Sequence, residues 1–192
     1  MNAIERFCFG TNMDPEQLMQ YLGSRWETSR KEKIRQLQSS LEPLYWQAVR
    51  ARELGRSHRG FKVGCALLAF RKDARRADRW GIFYGMNTKV EKASRPVCAE
   101  PIAVNAAYSS GFDEVIGMVV VGRPQLDEHS GLTCKTLHPC HECRVFLRNH
   151  PIVPRHARII TALPPVDDVL PGEDGCEIRT FQQVLRLHGE PL

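Results

Sequence analysis

The chain has 192 residues, of which 42% are hydrophobic and 26% charged, a balance that excludes overall disorder and fits one globular domain with a full core. A net charge of +5 favours anionic partners only weakly, because basic residues bind nucleic acid when they are clustered. The longest apolar runs, such as residues 115–121, are too short to span a bilayer, and seven cysteines without a secretory leader point to a reducing, cytoplasmic setting in which thiols serve metals or packing.

In chain order, Asp14-Pro15-Glu16-Gln17 reads as a helix start, with a capping Asp, Pro at the first helical position and an acidic first turn; the helix runs to Leu22 and stops at Gly23. From Ser29, Ile34, Leu37, Leu41 and Leu44 fall at helical spacing. Pro43 predicts a break near Glu42, and a second helical stretch carries Tyr45, Ala48, Val49 and Leu54 to Gly55. Residues 1–42 are therefore expected to form a helical extension and residues 43–192 the main domain. The extension reads as a packing helix, a dimer surface or a cover on the active site.

Residues 61–70 read as a buried strand and 81–86 as its hairpin partner. The basic connection 71–79 is expected to be a solvated tip, with phosphate contact as the alternative, since Asp73 and Asp78 dilute its charge. A helix follows from 101 to 110 with Gly111 as its stop, then a strand over 115–122. Pro139 opens a further helix, 157–162 is another strand, and 163–175 is a Pro, Gly and Asp rich connection. Thr180 caps a last helix over 181–188. Strands alternating with helices predict a three-layer α/β/α sandwich on a mixed sheet.

The chemistry concentrates in Cys98-Ala99-Glu100 and Pro139-Cys140-His141-Glu142-Cys143. Cys98, Cys140 and Cys143 supply three thiolates to one Zn²⁺ and leave its fourth position open, the arrangement of a catalytic zinc. Glu100 stands beside the metal as a carboxylate able to move protons. A Cys or His two residues before Glu, with a later Pro-Cys-x-x-Cys, is the zinc deaminase signature. A structural zinc knot would instead need a fourth protein ligand, for which His138, His141 or Cys134 is available, and Cys134 with Cys140 and Cys143 is an alternative local site. Cys8, Cys65 and Cys176 read as buried or incidental thiols, and His138 and His141 as surface or supporting residues.

With these motifs the chain resembles the cytidine deaminase family in its three-cysteine form over about residues 45–163. Phe61-Lys62-Val63-Gly64-Cys65-Ala66-Leu67-Leu68 looks like the family's first strand, Gly85 to Asn87 like its substrate-binding strand end, and Glu91-Lys92-Ala93-Ser94 like its Glu-Asn-Ala-Ser segment. The resemblance implies hydrolysis of cytidine and deoxycytidine to uridine and deoxyuridine with release of ammonia. Asn87 and Glu91 would then bond the ribose, and Phe61 would enclose the base. Glu91 lies two residues later than its counterpart, and Lys89 occupies the counted position. Pro101 stands where the family carries an Arg that offsets thiolate charge; Arg144 is expected to compensate, with Arg95 as the second candidate. A homo-oligomer is also implied, a tetramer ahead of a dimer.

Alternatives that keep the chemistry are a modified cytosine nucleoside, a nucleotide or a nucleoside antibiotic as substrate. A polynucleotide substrate is disfavoured, because the sequence lacks a basic surface interleaved with stacking aromatics. A third reading is an inactive, zinc-stabilised interaction module.

Overall fold

The computed structural model describes residues 28–57, 60–75, 78–89 and 97–192. The helix expected from Asp14 and the thiol of Cys8 lie outside the described residues.

Helix α1 (Thr28–Leu54) is continuous. It is followed by β1 (Arg56–Ser57), β2 (Gly64–Phe70), β3 (Trp80–Met86), β4 (Thr88–Lys89), α2 (Ala99–Ser109), β5 (Glu114–Val121), α3 (His141–Asn149), β6 (Arg158–Ala162), β7 (Cys176–Thr180) and α4 (Phe181–Leu187). The main sheet has the order β3-β2-β5-β6-β7, with β5 and β6 parallel and the other pairs antiparallel. β1 and β4 form a separate parallel pair.

The break expected at Pro43 is absent: Pro43 lies inside α1. Pro43 and Ser39, whose carbonyl the proline deprives of a donor, are both on the exposed side, where that carbonyl is open to solvent. On the opposite side Leu37, Leu41, Leu44, Tyr45 and Ala48 are buried against β2, β5 and β6. Each buried Leu contributes about 2 kcal/mol, so together they outweigh the roughly 3 kcal/mol that an internal proline costs.

The sheet is covered on both faces. Ala66, Leu68, Val119 and Ile160 point to α1. Cys65, Leu67, Met118, Val120 and Ile159 point to α2, α3 and α4, where Ala103, Val104, Leu147, Phe181 and Leu185 meet them. Strict alternation in β5 fails at one place: Leu68 pairs Gly117 while Ala69 pairs Val115, which makes Ile116 an extra residue. One inserted residue reverses the pleat, and Val115 and Met118 consequently share a face.

Two strand glycines set the thickness of the sandwich. A Cβ on Gly64 would come within 1.9 Å of the Ala48 carbonyl oxygen, so α1 rests directly on β2. On the other face a Cβ on Gly85 would meet the Ala99 carbonyl oxygen at 2.2 Å and the Ala103 nitrogen at 2.8 Å, so the first turn of α2 rests on β3.

Strand β7, residues 176–180, is absent from the sequence reading. Its five residues pair with all of β6 but carry only one strong apolar side chain, Ile178, too little for a period-2 pattern. Thr180 caps α4 as expected: its hydroxyl accepts from the Gln183 N–H while the Gln183 side chain accepts from the Thr180 N–H, a complete capping box. The basic hairpin connection is partly docked, with Arg71 donating to the carbonyls of Ser110 and Gly111 beyond α2, where a cation suits the helix dipole. Among the described residues no helix is long and apolar enough to cross a membrane.

Candidate metal centre and active site

Cys98 is the N-cap of α2 and Cys140 the N-cap of α3. Both have extended backbone, which turns each sulfur off the helix start. Cys143 stands one turn into α3, where the Cys-x-x-Cys spacing returns it to the side of Cys140. Glu100 lies in the first turn of α2. The two helix N-termini bring partial positive charge to a place where thiolates and a carboxylate gather.

The sulfurs of Cys98, Cys140 and Cys143 all lie within 4.8 Å of one another, and Cys98 Sγ is 3.8 Å from Cys140 Sγ. Tetrahedral zinc with bonds of about 2.3 Å requires sulfurs about 3.8 Å apart. The three residues fit a zinc ion. The local alternative through Cys134 does not form: Cys134 belongs to a different group, with His138 and His188.

Without a cation three neighbouring thiols cannot all ionise. Hydrogen bonds from Cys140 and Cys143 hold the Cys98 thiol down to about 4. For Cys140 the Cys143 bond lowers the value, yet the bond to Cys98 and burial prevail and the net shift is upward. Bonds to Cys140 and Cys98, then burial, push Cys143 up. One sulfur thus carries the charge and two keep their protons, a set that a divalent cation would fully deprotonate.

Glu100 is 4% exposed, and its Oε2 accepts from the Cys143 thiol at 3.4 Å. Burial first, and then the electrostatic influence of the neighbouring Cys140, push its carboxyl up to about 7. It is therefore placed to hold or release a proton near neutrality.

Arg144 is fully buried, and its guanidinium does not donate to the thiolates. Nε bonds Glu190 at 3.2 Å, Nη1 bonds Asp127 at 2.6 Å and the Pro139 carbonyl at 2.8 Å, and Nη2 reaches Asp127 at 3.4 Å and Glu190 at 3.1 Å. Four hydrogen bonds and one further ion-pair contact occupy the guanidinium there. Its contribution is positional: it fixes the peptide before Cys140 and does not itself replace the donor missing at Pro101.

Asn87 follows β3 with both ends of its amide in use. Oδ1 accepts from the Val63 N–H at 2.8 Å, and Nδ2 donates to the Phe61 carbonyl at 2.7 Å, which leaves the second Nδ2 hydrogen for another acceptor. Phe61 is half-buried against the core under α2. Asn87 thus brings Phe61, Val63 and the end of β3 together. Glu91, and Arg95 with it, lie outside the described residues.

A polar network beside α3 escaped the sequence reading. His138, read from the sequence as a surface or supporting residue, is buried together with His188, and its Nε2 lies 2.8 Å from Glu177 Oε2. The hydrogen bond with His138 is the main cause that holds Glu177 down to about 2; burial, then the Arg144 charge, hold His188 down to about 4. His141 is partly exposed, stacks on His129 at 3.7 Å between ring centres and bonds Glu190 through Nδ1 at 2.6 Å. Four histidines and three acids spread between residues 127 and 190 gave no local motif, since tertiary structure alone assembles them.

A family model described as the cytidine and deoxycytidylate deaminase zinc-binding region matches residues 38–155, well over half of the chain. No curated protein sequence matches. Among solved structures, a cytidine deaminase from Burkholderia pseudomallei is similar with 20% identity and a TM-score of 0.53, covering 74% of this chain and 94% of that one. Cytidine deaminases from Mycobacterium leprae, with 25% identity, a TM-score of 0.46 and coverage of 76% and 96%, and from Mycobacterium tuberculosis, with 20%, 0.47, 76% and 93%, are also similar. The Burkholderia protein shares the fold.

Proposed function

Because this chain belongs to the cytidine and deoxycytidylate deaminase family, we propose that it hydrolyses the 4-amino group of cytidine and deoxycytidine, yielding uridine or deoxyuridine and ammonia. The observation that carries this reading is the buried Glu100 carboxylate against the Cys98, Cys140 and Cys143 sulfurs. A purely structural zinc knot has no use for a carboxylate there.

Zinc, when bound by the three cysteines, supplies a Lewis acid that makes water nucleophilic near neutral pH. Glu100 does the proton work: its Oε2 carries the two protons of the attacking water in turn, the first to the ring nitrogen and the second to the departing amine. Its burial keeps bulk water from competing for that proton. Asn87, through its remaining Nδ2 hydrogen, and Glu91 bond the ribose hydroxyls, and Phe61 encloses the base.

The test follows the loss of cytidine absorbance with zinc-loaded protein and with Glu100→Gln. The variant is expected to keep its zinc while turnover falls roughly 10³-fold. Substantial residual turnover in it would sink the assignment of Glu100.

The family description covers deoxycytidylate as well as cytidine, so a nucleotide substrate is the second reading, and parallel assays with deoxycytidylate and cytidine decide between them. Modified cytosine nucleosides and nucleoside antibiotics enter the same assay. If none is turned over by zinc-loaded protein, a zinc-stabilised interaction module takes precedence. We also infer a homo-oligomer, a tetramer ahead of a dimer, supported by the edge position of β3 with Ile82 and Tyr84 exposed. Sedimentation showing a monomer at assay concentration would exclude it.

A further inference from the structure

We propose that Cys134, His138 and His188 form a second zinc site, separate from the three-cysteine centre, that clasps the loop before Cys140 to the C-terminal end of α4. One ligand atom from each residue lies within 4.8 Å of the other two. The two histidines face each other through His138 Nδ1 and His188 Nε2, 3.1 Å apart. Two imidazole nitrogens on one tetrahedral zinc stand about 3.3 Å apart.

The outer ring nitrogens explain why the inner pair suits a cation. His138 Nε2 lies 2.8 Å from Glu177 Oε2, and an ionised carboxylate only accepts, so Nε2 carries the hydrogen. His188 Nδ1 lies 2.8 Å from Ser130 Oγ, whose hydroxyl donates to Asp127 Oδ1 at 2.9 Å. With that single hydrogen committed, Nδ1 of His188 is the donor to Ser130. With both rings neutral, the form that binds metal, each has a lone pair on the nitrogen that faces the other. Two lone pairs in contact at a buried place lack a partner, and a cation between them supplies one.

Glu177 and Ser130 also give both rings the outer hydrogen bonds that orient metal-bound histidines and raise their basicity. Cys134 is half-buried, and its sulfur lies within 4.8 Å of a ring nitrogen of each histidine. One thiolate and two imidazoles select zinc over the hard cations. The fourth position is left to water.

The site connects a loop to an element far away in sequence. Cys134 and His138 precede the Cys140 helix start, and His188 is the C-cap of α4. Filling it fixes the segment that presents Cys140, in parallel with the Arg144 bond to the Pro139 carbonyl.

Zinc is counted by elemental analysis on the full chain after removal of loosely held ions, with folding checked by circular dichroism. The wild type is expected to retain about two equivalents per chain, and Cys134→Ser and His188→Gln about one each. The variants are also expected to melt several degrees lower. One equivalent in the wild type, or about two retained in Cys134→Ser, overturns the proposal. Zinc X-ray absorption on the wild type needs no variant: the three-cysteine centre contains no histidine, so imidazole scattering is expected only from the second site. Its absence from protein carrying its full zinc also overturns the proposal.

Discussion

Arg144 Nη1 lies 2.6 Å from Asp127 Oδ2, an ion pair in which the guanidinium is wholly removed from water. The same arginine donates to the Pro139 carbonyl and, through its backbone N–H, to the Cys140 carbonyl at 2.9 Å. Electrostatics around Asp127 are thus wired to the peptide that presents a zinc ligand. Asp127→Ala leaves a buried cation with half of its compensation and is expected to cost about 3 kcal/mol, read from urea unfolding. Zinc affinity, measured by competition with a chelator, is expected to fall roughly 10-fold.

Stability should depend on acid in a defined window. Burial raises the Asp127 carboxyl, but bonds from Arg144 and Ser130 more than reverse this and leave it well below its ordinary 3.8. Glu177, bonded to His138, moves from 4.5 to about 2. Groups whose folded value is depressed contribute stability that is present above the unfolded value and lost as pH falls toward the folded one. The unfolding free energy is therefore expected to drop as pH falls from about 4.5 toward 2, with a shallower slope in Glu177→Gln. An equal slope in that variant would remove Glu177 from the account.

Loading the apo-protein with zinc is expected to release about two protons per three-cysteine site near neutrality, because Cys98 is already a thiolate while Cys140 and Cys143 hold theirs. Calorimetry in two buffers of different ionisation enthalpy counts them. Cys134→Ser is the protein to use, since it isolates the three-cysteine site. Release of less than one proton would mean that the thiols are ionised before the metal arrives.

Gly85→Ala places a methyl group 2.2 Å from the Ala99 carbonyl oxygen, too close to exist without moving the first turn of α2. Overpacking of this kind costs about 1–3 kcal/mol. Here the displaced turn carries Cys98 and Glu100, so turnover and zinc content are expected to fall together. Full turnover in a folded variant would show that the α2 start adjusts freely.

Asn87→Ala removes the acceptor for the Val63 N–H and the donor to the Phe61 carbonyl. Losing these bonds at a half-buried place costs about 1–3 kcal/mol. Under the proposed ribose contact of Asn87, KM for cytidine is expected to rise at least as steeply as kcat falls. An unchanged KM in a folded variant would leave the residue a scaffold only.

The sequence located the zinc set because its chemistry is local: Cys140 and Cys143 share one helical turn, and Cys98 with Glu100 share another. The strands 64–70, 80–86, 114–121 and 158–162 were legible from apolar runs bounded by turns. The proline in α1 misled because propensity acts at one position, while burial of Leu37, Leu41, Leu44 and Tyr45 acts along the whole stripe. Strand β7 was hidden by its polar composition. The His138 and His188 pair was invisible since its members are fifty residues apart and belong to no recurring spacing. Arg144 was found, but which acids would claim its donors depended on where the C-terminal segment folds back.

The parallel pairing of β5 with β6 has a kinetic consequence. Parallel neighbours need a long crossover, and here that crossover includes α3, while α2 precedes β5 in the chain. Cys98 and Cys140 therefore lie on opposite sides of β5 in sequence and meet only after a long loop has closed, an event that is entropically costly and slow. During folding Cys140 and Cys143 are a local pair within one helix start, whereas Cys98, although synthesised first, joins them only when that loop closes. The third thiolate is thus a late arrival, and capture of zinc by all three reports that the central sheet has already formed.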